Sequence, residues 1–216
     1  MAHAKFYPVF IDLAGRRCLV VGGGAVAARK VRSLLDSGAR VVVVSPSVCE
    51  EVERLAAEGR VEWRRREFAD YDLEGSFLVI GATDSHEVNR RVFREAERRA
   101  MLANIVDEPE VCNFIVPALV RRGEFQVAIS TGGASPVLAR KLRRELEKRF
   151  GPVYGEIVDE LWHIRTMLKD RLASESVRRR FWEELVDLEF LDSLSQGEVK
   201  LKIRERAERC LSRLAD

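Results

Sequence analysis

Cysteine and histidine are scarce and scattered. The four cysteines, Cys18, Cys49, Cys112 and Cys210, form no C-x-x-C pair, and His3, His86 and His163 lie far apart. No metal site can be read from such spacing, and no disulfide framework; reduced, mostly packed thiols are expected. No apolar run approaches the ~20 residues of a membrane span, and the N-terminus lacks the apolar core of a secretory signal. An excess of one charge is missing too: 37 Lys and Arg stand against 35 Asp and Glu, for a formal net charge of +2. That balance gives no general affinity for nucleic acid, although local basic patches stay open. Internal repeats and low-complexity segments are absent. The expectation is a soluble, cytoplasmic protein without nucleic-acid or membrane partners, its 216 residues enough for one domain or two small ones.

What is present is organised around Val20-Val21-Gly22-Gly23-Gly24-Ala25-Val26-Ala27. The apolar run from Cys18 to Val21 reads as a buried strand, and Ala27, Val31, Leu34 and Leu35 follow at helical spacing. Between them stands Gly22-x-Gly24-x-x-Ala27. A dinucleotide site needs glycine here for a tight turn and for close approach of the pyrophosphate, and small residues for helix–strand contact. The helix start supplies unpaired N–H groups and a positive dipole end.

The chain then alternates. Residues 1–17 read as a lead-in, with Phe6, Val9, Phe10, Ile11 and Leu13 packing beside the sheet. Gly38 reads as a C-cap, Arg40 to Val44 as a strand covered on both faces, and Ser47 with Glu50 as a capping box. Val61 to Arg65 suits an outer strand and Phe77 to Ile80 a buried one. Val88, Val92, Phe93, Ala96 and Ala100 mark a helix, and Met101 to Val106 a fifth strand. Strands alternating with helices specify a doubly wound, mostly parallel α/β sheet. Phe114 to Val120 and Phe125 to Ser130 then read as a hairpin-like pair around Arg121-Arg122-Gly123-Glu124. Ser135-Pro136 starts a helix with Leu138, Leu142, Leu146 and Phe150 on one stripe. From Val153 onward the pattern is helical, the last helix introduced by a Ser195–Glu198 capping box. The expected division is 1–112, 113–150 and 151–216.

In such a sheet ligands sit at the carboxyl ends of the strands, so Ser45-Pro46, Ala82-Thr83-Asp84 and Asn104 to Asp107 converge with the glycine turn. The usual acidic residue for the adenosine ribose is absent, and Ser45 stands in its place. Arg40 is a conceivable partner for a 2′-phosphate and equally a solvated strand start. Asp84 suits either the cleft or a helix N-cap. Asp107 ends the fifth strand, where a side chain can face the cofactor, though a turn-forming aspartate before Glu108-Pro109 gives the same pattern. Ser130-Thr131-Gly132-Gly133-Ala134-Ser135 combines small residues, hydroxyls and a helix start, as a second anion cradle or a plain cap. Arg140, Lys141, Arg143 and Arg144 follow it, either as anion partners or as a solvated face diluted by Glu145 and Glu147.

Five blocks in this order resemble the precorrin-2 dehydrogenases, the dehydrogenase (and often ferrochelatase) part of siroheme synthase. They are Gly22 to Lys30, Ala82-Thr83-Asp84, Asn104 to Pro109, Cys112 to Ala118 and Ser130 to Pro136. The likeness covers roughly residues 5–150; the helical remainder matches only in length and helical character, and the methyltransferase domain that some members carry as a fusion is not expected in these residues. The resemblance implies a Rossmann-like domain, a small α+β dimerisation segment at 113–150 and a helical C-terminal domain. It implies NAD on Gly22, Gly23, Gly24, Ala25 and Val26, with Ser45 and Pro46 beside the adenosine and Thr83 and Asp84 completing the cofactor site. Asp107 matches the family aspartate for dehydrogenation and chelation. Asn104, Thr131, Gly132, Gly133 and Ser135 fall to the tetrapyrrole side. A homodimer is implied, and ferrous iron as a further substrate. The activity expected is NAD-dependent oxidation of precorrin-2 to sirohydrochlorin.

Two other readings compete. A nucleotide-sensing regulator would use the same sheet and glycines, but it leaves Asp107 and the Ser-Thr-Gly-Gly loop unexplained. A dehydrogenase of a small metabolite would more often show a His, Lys or Tyr acid–base residue, and none stands out.

Overall fold

The computed structural model describes residues 6–169, 171–172 and 174–215, so residues 1–5 of the lead-in lie outside it. It divides into two compact units, one ending at Val116 and one beginning at Pro117.

The first unit is a five-stranded parallel sheet, β1 (Arg17–Val21), β2 (Arg40–Val44), β3 (Val61–Arg64), β4 (Leu78–Gly81) and β5 (Leu102–Ile105), in the order β3-β2-β1-β4-β5. Helices α1 (Ala25–Leu35), α2 (Glu50–Ala57) and α3 (His86–Arg98) connect the strands, with a 3-10 turn at Asp70–Leu73 before β4. The β-branched runs are apolar at every position because both faces are covered. Cys18, Val20, Val41 and Val43 join one core with Val31, Leu34 and Leu55, while Leu19, Val21, Val42 and Val44 join the other with Val92 and Ala96. The period of two thus divides each strand between two cores. Gly38, at φ +76°, closes α1: its N–H reaches the Leu35 carbonyl and that of Ala39 the Leu34 carbonyl, the paired bonds of a Schellman end.

Three local expectations need correction. The lead-in does not pack as a whole: Leu13 is buried, but Val9, Phe10 and Ile11 are exposed, because the chain pairs with the sheet only from Arg17. Ser47 is not the cap of α2, which starts two residues later, with Cys49 at its N-cap and no side-chain capping bond. The Ser47 carbonyl instead accepts the Ser45 hydroxyl at 2.6 Å. Phe114 to Pro117 is not strand. The Asn113 N–H donates to the Ala103 carbonyl, and the Phe114 carbonyl accepts from the Asn104 amide, so this stretch is tied down beside β5.

The second unit opens with the antiparallel pair β6 (Ala118–Arg122) and β7 (Phe125–Ile129), turned by Gly123 at φ +57° and Glu124. Among the described residues five helices follow: α4 (Pro136–Arg149), α5 (Val153–Met167), α6 (Glu175–Leu185), α7 (Leu188–Asp192) and α8 (Val199–Ala215). The short α7, capped by Asp187, is not evident from periodicity. Before α8 the Ser195 carbonyl accepts from the Glu198 N–H. Phe125, Phe150 and Tyr154 pack ring to ring at about 5 Å, which seats the hairpin on α4 and α5 within one chain. Phe181, Leu185, Ile157, Ile164 and Ile203 form the helical core. Leu138 and Leu142 of the α4 stripe are exposed. Among the described residues no helix is long and apolar enough to cross a membrane.

Candidate functional site

The strand order reverses between β1 and β4, and a cleft of about 1040 Å³ opens there at the carboxyl ends of the strands. It lies wholly in the first unit. Gly22 to Val26 form its floor, Ser45 to Cys49 and Glu67-Phe68 one end, and Thr83 to His86 with Asp107 and Glu108 the other.

The three glycines have different duties. Gly22 sits at φ +116°, and a Cβ there would strike the Ala82 carbonyl; one at Gly23 would strike the Ser47 carbonyl. These two allow three loops to meet. Gly24 has nothing within 4 Å of its Cβ position and a φ of −75°. It is the N-cap of α1, makes no side-chain capping bond, and no acidic residue occupies the first turn. The first intrahelical bond is that from the Ala28 N–H to the Gly24 carbonyl. The N–H groups of Ala25 and Val26 therefore lack intrahelical partners, and the positive end of the helix is left uncompensated. This cradle fits a pyrophosphate.

At the end of β2, Ser45 is buried. Its hydroxyl donates to the Ser47 carbonyl, its N–H to the Arg64 carbonyl at 3.3 Å, and its carbonyl accepts the Trp63 indole N–H at 3.0 Å. Ser45 thus braces the rim on which Pro46 lines the cleft, and its hydroxyl proton is already spent. Arg40 is at the opposite end of β2, donating to the Gly15 carbonyl at 2.8 Å. It is therefore no partner for a 2′-phosphate in this cleft.

After β4, Thr83 is held by Asn89. The Asn89 Oδ1 accepts from the Thr83 hydroxyl at 2.8 Å, and its Nδ2 donates to the Thr83 carbonyl at 3.0 Å. Asp84 is exposed on the cleft wall and does not cap α3; Ser85 does, its hydroxyl accepting from the Val88 N–H.

Asp107 follows β5 and lines the cleft with its backbone at φ +61°. Ala100 is the other non-glycine residue with positive φ among the described residues. The left-handed region is uncommon outside glycine, though aspartate and asparagine tolerate it best. Next to it, Glu108 accepts from His86 Nδ1 at 2.8 Å with Arg90 nearby, and the His86 hydrogen bond holds its carboxyl below the usual range. Asn104 does not line the cleft: its amide donates to the Phe114 carbonyl at 3.0 Å and approaches the Cys112 sulfur. That sulfur in turn accepts from the Ile105 N–H, and burial pushes its thiol pKa up. Burial lowers the Lys30 ammonium pKa, an effect that Arg29 reinforces and the nearby Cys112 and Asp107 oppose.

In the second unit, the loop before α4 is largely closed on itself. Thr131 Oγ1 accepts from the Ser135 N–H, Ser130 Oγ from the Gly132 N–H, and Ser135 Oγ caps α4 through the Leu138 N–H. Gly132 and Gly133 take positive φ to make the turn. The Thr131 hydroxyl keeps its proton to donate. Arg143 faces Glu147 at 3.6 Å, part of a mixed charged face on α4.

Comparison with known proteins gives a consistent picture. Residues 9–118 match the family described as "Putative NAD(P)-binding", residues 122–149 "Sirohaem biosynthesis protein central", and residues 153–213 "Sirohaem synthase dimerisation region". The chain belongs to the siroheme synthase family. It is 46% identical over 182 residues to a siroheme synthase of Thioalkalivibrio sulfidiphilus, covering 84% of this chain and 37% of that protein. Against a siroheme synthase of Neisseria meningitidis serogroup C it is 42% identical, over 83% of this chain and 38% of the relative. The chain thus spans well under half the length of these curated relatives. A solved structure titled "SirC, precorrin-2 dehydrogenase" matches at a TM-score of 0.79 and 29% identity, covering 96% of this chain and all of that one. The family places its dimerisation region on the helices, beyond the segment 113–150.

Some residues of this siroheme synthase family cleft escape a reading of sequence alone. Asn89 carried a signal: it is a polar residue on the apolar stripe of α3, three positions before Val92. Glu67 and Phe68 had none, because only the fold brings the segment after β3 to the end of β2. Among the described residues no cluster of three or more His, Cys, Asp or Glu could hold a metal ion.

Proposed function

We propose that this chain is an NAD-dependent dehydrogenase converting precorrin-2 to sirohydrochlorin. The observation that carries this reading is a single cleft with an open, acid-free helix N-terminus at one side and the Asp107 carboxylate at another. Its likeness to SirC over nearly the whole chain supports the substrate.

NAD supplies the hydride acceptor. The N–H groups of Ala25 and Val26 bind the pyrophosphate, Gly22 and Gly23 let the flanking loops close around it, and Gly24 leaves it room. Pro46 and the rim braced by Ser45 bound the adenosine, and Thr83 and Asp84 line the wall beyond. The oxidation removes a hydride and a proton from the macrocycle, so the balanced products are sirohydrochlorin, NADH and one proton. Asp107 accepts that proton at a carboxylate oxygen, a general-base role commonly worth ~10²–10⁴ in rate. Thr131, with Gly132, Gly133 and Ser135, is assigned to the substrate carboxylates, the Thr131 hydroxyl as donor. Ferrochelation is the second activity within reach: two pyrrole protons must leave as ferrous iron enters, and Asp107 is again the acceptor.

The functional division follows 1–112 for NAD, 113–150 for the central segment and 151–216 for the helices. The protein works as a homodimer, in keeping with the family's dimerisation region and the exposed Val137, Leu138 and Leu142. Four free thiols suit the cytoplasm. Sedimentation at micromolar concentration tests the dimer, and a monomer there contradicts it. Calorimetric titration with NAD tests the cofactor site, and a folded chain that binds neither NAD nor NADP contradicts it.

A further inference from the structure

We propose that Glu67 sets the cofactor preference, supplying the acid that the end of β2 lacks, so that the cleft selects NAD over NADP. The inference rests on the reading of the cleft as an NAD site. In dinucleotide folds the discriminating carboxylate ordinarily ends the second strand, where it accepts from ribose hydroxyls and repels a 2′-phosphate. Here Ser45 occupies that position with its hydroxyl proton committed to the Ser47 carbonyl. It can do neither.

Glu67 follows β3, the strand paired beside β2, and lines the cleft together with Ser45, Pro46 and Ser47. It is exposed, and among the described residues its carboxylate has no ion pair or hydrogen bond; only its backbone carbonyl is used, by Arg66. The cations around it are committed elsewhere. Arg64 and Arg66 bind the buried Asp72 at 2.9 and 2.6 Å, and Arg91, which lines the cleft beside Phe68, binds Asp70 through Nε at 2.8 Å. Arg65 lies over the Trp63 ring and does not line the cleft. What remains uncompensated at this end is one negative charge. A ribose diol suits it as a donor, whereas a phosphate brings close to two further negative charges, and the guanidinium that lines the cleft, Arg91, is already paired with Asp70.

The experiment is calorimetric titration of the full chain with NAD and with NADP, for the wild type, E67Q and E67R, with circular dichroism to verify the fold. The wild type is expected to bind NAD more tightly by roughly tenfold, the effect of a close charge pair at a solvated surface. E67Q should bring the two affinities together, and E67R should favour NADP. If E67R fails to fold, the isosteric E67Q still decides. A wild type that binds NAD, with a preference unmoved in E67Q, overturns the assignment of Glu67 alone. A folded wild type that binds neither cofactor overturns the reading of the cleft and this inference with it.

Discussion

Asn89 grips Thr83 from both sides, accepting from its hydroxyl at 2.8 Å and donating to its carbonyl at 3.0 Å. One buried amide on α3 thereby fixes the loop that follows β4, which is one wall of the cofactor cleft. Asn89→Leu removes the partner of the Thr83 carbonyl, while the Thr83 hydroxyl keeps its bonds to Ser85, at a cost of about 1–3 kcal/mol for an unsatisfied polar group. The expected outcome is a lower midpoint in chemical denaturation together with weaker NAD binding. A variant as stable as the wild type shows the grip to be dispensable.

The glycine turn gives two opposite outcomes from neighbouring positions. Gly24→Asp meets no atom of the protein and places a good N-capping side chain on α1, so the fold should be kept or slightly strengthened. The same carboxylate occupies the pyrophosphate position, and NAD binding should disappear. Gly23→Ala, by contrast, drives a methyl group into the Ser47 carbonyl and should destabilise the domain. Thermal melts and calorimetry on both variants check the pair; undiminished NAD affinity in Gly24→Asp contradicts the pyrophosphate site.

Asp107 calls for a choice of substitution that respects its backbone. At φ +61° alanine adds strain of about 1 kcal/mol, whereas asparagine tolerates the left-handed region and glycine adopts it freely. Asp107→Asn and Asp107→Gly should both keep NAD binding and lose ~10²–10⁴ in single-turnover rate. A wild-type rate in Asp107→Asn removes the carboxylate from proton transfer.

Asp72 links stability to acid. Burial raises the pKa of its carboxyl, but hydrogen bonds from Arg66, the Ala69 N–H and Arg64 prevail and hold it at about 2. An unfolded aspartate titrates near ~3.9, so the folded state is favoured by about 2–3 kcal/mol above that pH. This contribution is lost as the pH falls through the interval from about 4 down to about 2. Denaturation of wild type and Asp72→Asn across that interval should show their difference in stability shrinking as acid is added. A constant difference contradicts the assignment.

The doubly wound sheet is legible because its strands are short runs of β-branched residues, such as Val41 to Val44, that must be buried on both faces. The glycine turn is legible because its spacing meets a steric demand. The direction of a side chain at a strand end is another matter. Ser45 and Asn104 stand at the carboxyl ends of strands, where the pattern expects a ligand, yet each bonds a backbone carbonyl two and ten residues on. The run Phe114-Ile115-Val116 has strand composition, but its neighbours Asn113 and Asn104 bind it to β5 and β6 begins only at Ala118. Glu67 became visible only when the sheet order set β3 beside β2.

The central claim is that this cleft carries out hydride transfer from precorrin-2. The most direct measurement is an anaerobic mixture of the full chain, precorrin-2 and NAD, followed by absorption spectra. The account predicts the sirohydrochlorin spectrum growing in step with reduced nicotinamide, one for one, and neither signal with Gly24→Asp. Wild-type protein that binds NAD and precorrin-2 yet yields no reduced nicotinamide would contradict it.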